Sequence, residues 1–175
     1  MKERNVERTD EIRIDPREFR RTLGRFASGI TVVTTKNEGE VYGMTANAFV
    51  SVSLDPPLVL VSLDNRAKMN SILPESKRYG VSILNNGQEH LSQHFAGRPK
   101  EGLDVPFEEK MGMPVLEGAL ARLVCRVVDE HPAGDHTLYI GRVEYLDYSS
   151  GAPLLFYTGG YRHLELDLSD HSYIW

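Results

Sequence analysis

A double proline, Pro56-Pro57, closes the stretch Gly43-Met44-Thr45-Ala46-Asn47-Ala48-Phe49-Val50-Ser51-Val52-Ser53-Leu54-Asp55. Neither a helix interior nor a central strand accommodates such a pair, because each ring removes a backbone donor and fixes φ. The chain must turn there. Ahead of the turn the residues are small or carry hydroxyls (Gly43, Thr45, Ala46, Asn47, Ala48, Ser51, Ser53). Such a run brings backbone N–H groups and short polar side chains close to a flat or phosphorylated ligand. It serves a plain β-turn-β segment equally well. Strand alternation from Phe49 predicts Val50, Val52 and Leu54 on one face, with Phe49, Ser51 and Ser53 on the other.

Around this stretch the periodicity is mostly that of strands. Residues 1–14 read as a charged, loosely ordered arm, and residues 15–175 as a single domain. Asp15-Pro16-Arg17-Glu18 carries the signals of a helix start, with Asp15 as cap and Glu18 completing a capping box. Phe19, Leu23, Phe26 and Ala27 follow at helical spacing and predict a core-facing stripe, ended by Ser28-Gly29. Ile30–Thr35 is β-branched throughout, and Asn37–Glu40 predicts the turn of a hairpin whose second strand is Val41–Thr45. Leu58–Leu63 is a continuous apolar run that predicts a strand buried on both faces. A short helix Met69–Leu73 stopped by Pro74, a strand Tyr79–Leu84 and a helix 88–95 follow. The polar segment 98–113 reads as a surface loop or lid. Leu120–Asp129 and Thr137–Leu146 are long strands separated by residues 130–136, and Pro153–Tyr157 is a last strand. About seven strands in hairpin order, with two or three helices, predict one closed or nearly closed antiparallel barrel.

At 175 residues, 26% charged and with a net charge of −5, the chain has no basic block that would mark nucleic acid or an anionic membrane as its partner. One cysteine, Cys125, permits no intrachain disulfide. No apolar run approaches the roughly 20 residues of a membrane helix. The expectation is a cytoplasmic protein.

Most catalytic constellations are missing. His90 and His94 stand four apart on a helical segment, but Glu89 precedes them and no His-Glu-x-x-His forms, so no metal site is expected. There is no Gly-x-Ser-x-Gly elbow, no Gly-x-Gly-x-x-Gly and no Walker loop, and Cys125 sits in an apolar strand. What remains is a set of polar positions on or beside strands: Thr45, Asn47, Ser51 and Ser53; the turn 64–68; Gly134-Asp135-His136-Thr137; and Tyr161-Arg162.

The ordered set of segments Phe26–Thr34, Gly43–Pro57, Phe95-Ala96-Gly97, Gly118–Cys125, Gly134–Val143 and Pro153–Tyr161 resembles the short-chain flavin reductases, the reductase components of two-component flavin monooxygenases. The resemblance covers about residues 17–163. It implies a mainly β fold with a few helices, an FMN-binding split β-barrel of antiparallel Greek-key type, usually a homodimer. It also implies NADH or NADPH as hydride donor to FMN or FAD, with reduced flavin diffusing to a partner monooxygenase. Carried onto this chain, Thr45, Ala46, Asn47 and Ala48 would line the isoalloxazine and ribityl chain, with Ser51 and Ser53 towards the ribityl or phosphate end. Ser62, Leu63, Asp64, Asn65, Arg66 and Lys68 would hold phosphate, Phe95 and Tyr161 would lie near the ring, and His136 would sit at the nicotinamide. Position 48 is Ala where the family often has Ser, and Arg66 and Lys68 stand where small hydroxyl residues are common.

Hydride transfer between two stacked rings needs positioning and no side-chain nucleophile, which agrees with the missing constellations. Two other readings stay open: a flavin-binding electron carrier of the flavoredoxin kind, and a split-barrel oxidase of a substrate like pyridoxine phosphate.

Overall fold

The structure, a computed structural model, describes residues 13–164. The arm expected over residues 1–14 lies almost wholly outside them, as does the C-terminal end of the expected domain.

Helix α1 (Pro16–Leu23) starts where the sequence places it: Asp15 Oδ1 accepts from the N–H groups of Arg17 (2.8 Å) and Glu18 (3.0 Å). The capping box does not form, because Glu18 pairs with Arg21 at 2.7 Å. Gly24 ends the helix, four residues earlier than Ser28-Gly29, which form strand β1 (Ser28–Gly29). The expected core stripe is also corrected. Phe19, Leu23 and Phe26 are 51, 57 and 83% exposed, since α1 lies at the rim and no described element covers its apolar face.

Strands β2 (Thr31–Asn37) and β3 (Glu40–Ala46) form the expected hairpin. Its turn, Glu38-Gly39, takes φ of 52° and 84°, the mirror-type geometry that matches strand twist. After Asn47-Ala48 come β4 (Phe49–Leu54) and β5 (Pro57–Asp64), with the turn at Asp55-Pro56 that the double proline requires. Then follow α2 (Met69–Ser76), β6 (Arg78–Ile83), α3 (Glu89–Phe95), β7 (Phe107–Lys110), β8 (Met113–Leu116), β9 (Ala121–Ala133), β10 (His136–Tyr148), β11 (Leu154–Tyr157) and β12 (Gly160–His163). The helix after β5 does not stop at Pro74; it runs to Ser76, where Lys77 turns left-handed. The polar segment 98–113 holds β7, whose hairpin partner β8 is wholly buried. Residues 130–136 are mostly strand, because only Gly134-Asp135 is needed to reverse the chain between β9 and β10.

One seven-stranded antiparallel sheet, ordered β3-β2-β6-β9-β10-β5-β4, dominates the molecule. Its two edge strands, β3 and β4, are consecutive in sequence and joined by only Asn47 and Ala48. A sheet whose opposite edges are two residues apart has to roll up until those edges nearly meet. No hydrogen-bonded ladder closes the gap, so the roll stays split at the Asn47-Ala48 link, and Ser62 N–H donates to Ala48 C=O (3.1 Å) beside it. The nearly closed barrel that the strand count predicts is therefore an open, split one. A second sheet, β1-β11-β12, and the β7-β8 hairpin flank it.

Inside the roll, Val33, Val59, Val61, Leu63, Tyr79, Val81, Cys125 and Tyr139 make the main core. On the other face of β2, Ile30, Val32, Leu84, Leu91, Leu116 and Leu154 make a second one. Strand β5 alternates, with Val59, Val61 and Leu63 buried and Leu58, Leu60 and Ser62 half-buried. It is not covered on both faces as the apolar run predicts, because among the described residues its outer side has no second layer. In β4 Phe49 is the inward residue, and Val50 and Val52 on the opposite face are exposed, as the alternation predicts. A register shift lies between Ser51 and Ser53, and Leu54 joins these serines on one groove.

Candidate functional site

The split in the roll is where the polar residues gather. Asn47 lies on three cavities at once. One, of about 570 Å³, is bounded by Ala27, Ser28 and Gly29 across from Ala48 and Val50. Another, of about 220 Å³, is bounded by Thr45, Ser92, Ala96 and Tyr161. The third, of about 550 Å³, is bounded by Phe19, Phe26, His136, Phe156 and Gly159. Residues 47, 92, 136 and 161, remote in sequence, thus border adjoining cavities that meet at Asn47.

A short hydrogen-bonded chain fixes its inner wall. Thr45 Oγ1 donates to the carbonyl of Ser92 (2.7 Å), and Ser92 Oγ meets the Tyr161 hydroxyl at 2.9 Å. Ser92 is fully buried, and Tyr161 is held edge-on against Phe156 with centroids 5.9 Å apart. Strand β3, helix α3 and strand β12 are tied together through these three side chains. Thr45→Val keeps the shape and loses the donor, leaving the Ser92 carbonyl without that bond. The expected cost is about 1 kcal/mol of stability, measured by denaturant unfolding, together with weaker binding of any ligand seated on Tyr161.

The outer wall is built from two turns locked to each other. In the β5–β10 register His136 stands opposite Asp64. Asn65 N–H donates to the Asp135 carbonyl (2.9 Å), and Thr137 Oγ1 donates to Asn65 Oδ1 (2.8 Å). His136 Nδ1 lies 2.7 Å from Asp135 Oδ1. A carboxylate only accepts, so Nδ1 carries a proton, and the tautomer this bond selects has Nε2 as its acceptor. The same bond holds the Asp135 carboxyl below its ordinary range. Arg66 grips Asp64 through Nε (3.1 Å) and Nη2 (2.7 Å), and those bonds, with the Arg66 N–H, hold the Asp64 carboxyl well below the usual carboxylate range. Lys68 stands 4.2 Å over the Tyr42 ring. The two cations of this turn are therefore engaged within the protein.

The structure brings together Thr45, Asn47, Ala48, His136 and Tyr161, with Ser62 bonded to Ala48 and the 64–66 turn beside His136. It does not bring Ser51 and Ser53 there. They line a separate groove of about 340 Å³ with Leu123, Val143, Leu146 and Tyr148. The side chains of Ala46 and Leu63 point into the main core, so only their backbone is free for a ligand. Phe95 lies over Gly43, where an added Cβ would come within 2.6 Å of its ring, and its neighbour Ala96 is the residue on the recess. Ser92, Phe156 and the Ala27–Gly29 segment were not legible as site residues. Ser92 sits in a helix with no motif around it, and the other two reach the recess only through β1-β11 pairing. Cys125 is fully buried, which pushes its thiol up to about 12 and leaves it inert. Among the described residues no group of His, Cys, Asp or Glu is placed to hold a metal ion.

The site is thus a polar recess at the split of a rolled antiparallel sheet. The chain belongs to the flavin reductase like domain family, whose model matches residues 23–165. It is 58% identical over 156 residues to an NADH-dependent flavin reductase of Rhodococcus sp, covering 87% of this chain and 89% of that protein. It is 46% identical over 147 residues to the reductase component of a 4-hydroxyphenylacetate 3-monooxygenase of Thermus thermophilus, covering 83% of this chain and 95% of that protein. The solved structure of flavin reductase PheA2 in its native state superposes with a TM-score of 0.85 at 50% identity, over 87% of this chain and all (100%) of that one.

The residues present fit a flavin. The cavity of about 570 Å³ beside Asn47 and Ala48 lies in the size range of small-molecule sites, roughly 300–1,000 Å³. The N–H groups of Asn47 and Ala48 belong to no strand ladder and donate to no acceptor among the described residues, so they are available to a ring edge.

Proposed function

We propose that the protein is an NAD(P)H:flavin oxidoreductase that reduces FMN or FAD with NADH or NADPH and supplies reduced flavin to a partner monooxygenase. The observation that supports the reading is that Asn47 and His136 line one cavity, where the first would contact the flavin and the second would dock the nicotinamide. The Thr45–Ala48 segment would hold the ring through backbone N–H donors, with Tyr161 fixing its other side and the 62–66 turn nearest the phosphate end. Bound there, the flavin supplies the hydride acceptor. The chain itself orients, supplies fixed dipoles and excludes water.

A homodimer is part of the proposal. Edge strand β4 presents Val50, Val52 and the 91% exposed Leu54, and Leu146 and Tyr148 lie exposed beside them, an apolar set suited to a second copy. A cytoplasmic location is proposed with it, and no described helix is long and apolar enough to cross a membrane.

The purified protein tests the reading directly. Aerobic consumption of NADH or NADPH that depends on added FMN or FAD is the expected result. Tightly retained flavin with no pyridine-nucleotide oxidation would instead identify an electron carrier and overturn it.

A further inference from the structure

None of the eight residues of helix α1 is buried. A helix that short is marginal in water by itself, and in proteins most helical stability comes from packing an apolar face. Phe19 and Leu23 on this face, and Phe26 just past its end, are each more than half exposed. The helix nevertheless has a fixed place. Thr158 N–H donates to the Gly24 carbonyl (3.0 Å), which pins the β11–β12 turn to the end of α1. An apolar face is thus held in position with no described element over it.

The same surface is basic. Residues 16–26 carry four arginines and one glutamate, in a chain whose net charge is −5. Arg20, Arg21 and Arg25 line one cavity of about 460 Å³ beside the β11–β12 turn. Among the described residues the one ion pair these arginines make is Arg21 with Glu18, and both of its side chains are largely exposed. Such a pair holds weakly and yields to a better partner.

The segment 165–175 has the complementary chemistry. It carries Glu165, Asp167 and Asp170 and no Lys or Arg, and it intersperses them with Leu166, Leu168, Tyr173, Ile174 and Trp175. It leaves the described fold at Leu164, which is itself exposed. Its 11 residues reach up to roughly 36–40 Å when extended. Retracing the four residues of β12 takes about 13 Å, and running along the eight of α1 about 12 Å more. The reach is ample. A tethered segment also meets the helix at a higher effective concentration than a separate molecule does.

We propose that the acidic and apolar segment 165–175 docks in cis on α1, its carboxylates on Arg20, Arg21 and Arg25 and its apolar side chains over Phe19, Leu23 and Phe26. Leu23 and Phe26 also border cavities that meet at Asn47, so the docked segment lies at the edge of the candidate site. The proposal goes beyond the functional reading above and does not depend on it.

Trp175 is the one tryptophan of the chain, so tryptophan fluorescence of the full-length protein reads this segment alone. The expected emission lies to the blue of that of a synthetic peptide of residues 165–175, with weaker quenching by acrylamide. Phe26→Ala and, separately, Arg21→Glu/Arg25→Glu should each shift the emission to the red and raise the quenching towards the peptide's. All three positions are exposed, and Phe26 lies outside the helix, so circular dichroism should show the fold retained in Phe26→Ala. Arg21→Lys/Arg25→Lys keeps the charges and should keep most of the shielding. A wild-type emission equal to the peptide's would overturn the proposal, as would shielding that survives Phe26→Ala or the charge reversal and so seats Trp175 elsewhere. To separate docking in cis from docking on a second copy, a trace of wild type is refolded with an excess of Phe26→Ala/Trp175→Phe chains. An unchanged blue emission is expected. A red shift in that mixture would give α1 to the segment of another copy and overturn docking in cis. None of these readings needs turnover, so their failure leaves the functional reading standing, and an absence of flavin reduction leaves the docking untouched.

Discussion

Gly141→Ala is expected to destabilise the protein by about 3 kcal/mol, at the upper end of overpacking costs. A Cβ at Gly141 would fall 2.0 Å from the Tyr79 hydroxyl, 2.7 Å from Tyr79 Cζ and 3.0 Å from Cys125 Cβ. None of these can yield cheaply. Tyr79 and Cys125 are fully buried and face each other across the β6–β9 ladder, in the middle of the main core. The backbone at Gly141 is not in the left-handed region, so the whole cost is steric. For a chain of this size the melting temperature should fall by about 6–12 °C. Tyr79→Phe separates the causes. The Tyr79 hydroxyl has no hydrogen-bond partner among the described residues, so its removal should leave the stability unchanged or raise it. Combined with Tyr79→Phe, Gly141→Ala should cost less, because the nearest clash is gone. An unchanged melting temperature for the single variant Gly141→Ala would mean that Tyr79 does not lie over Gly141.

His136→Ala is expected to raise the KM for the nicotinamide donor about tenfold while moving the flavin dissociation constant less than about twofold. The asymmetry follows from position. His136 is on the outer wall, held by Asp135 and opposite Asp64, whereas Thr45, Asn47, Ser92 and Tyr161 form the inner wall. With Nδ1 committed to Asp135, Nε2 remains to accept a hydrogen bond from a carboxamide, a docking role that asks for no proton transfer in the reaction. Steady-state kinetics with NADH and a flavin fluorescence titration read the two quantities separately. Unchanged kinetics would remove His136 from the site, and an equal loss of flavin affinity would move it to the flavin wall.

Much of the fold was legible because it is local. Asp15 caps α1 through its own neighbours, Glu38-Gly39 reverses the first hairpin, and Pro56-Pro57 forces the turn out of β4. The failures share a cause. The stripe Phe19–Leu23–Phe26 has apolar periodicity and was expected to face the core, yet it faces outwards. Periodicity reports that a face is apolar and says nothing of what covers it. Strands β7 and β12 were missed because short polar strands look like loops until a partner pairs with them.

For the site the division is similar. By itself the sequence determined the side chains available: a small-residue stretch from Gly43 to Pro57, and a His between Asp and Thr. Those depend only on which side chains the chain has and on their spacing along it. Only the tertiary structure decided that Asn47-Ala48 is the split between two edges of one sheet, that Ser92 links Thr45 to Tyr161, and that Ser51 and Ser53 lie in another groove. It also decided that Arg20 borders the His136 cavity. Rolling the sheet brings residues a hundred positions apart into contact, and that closure is set by the register of all seven strands together, which no single segment records.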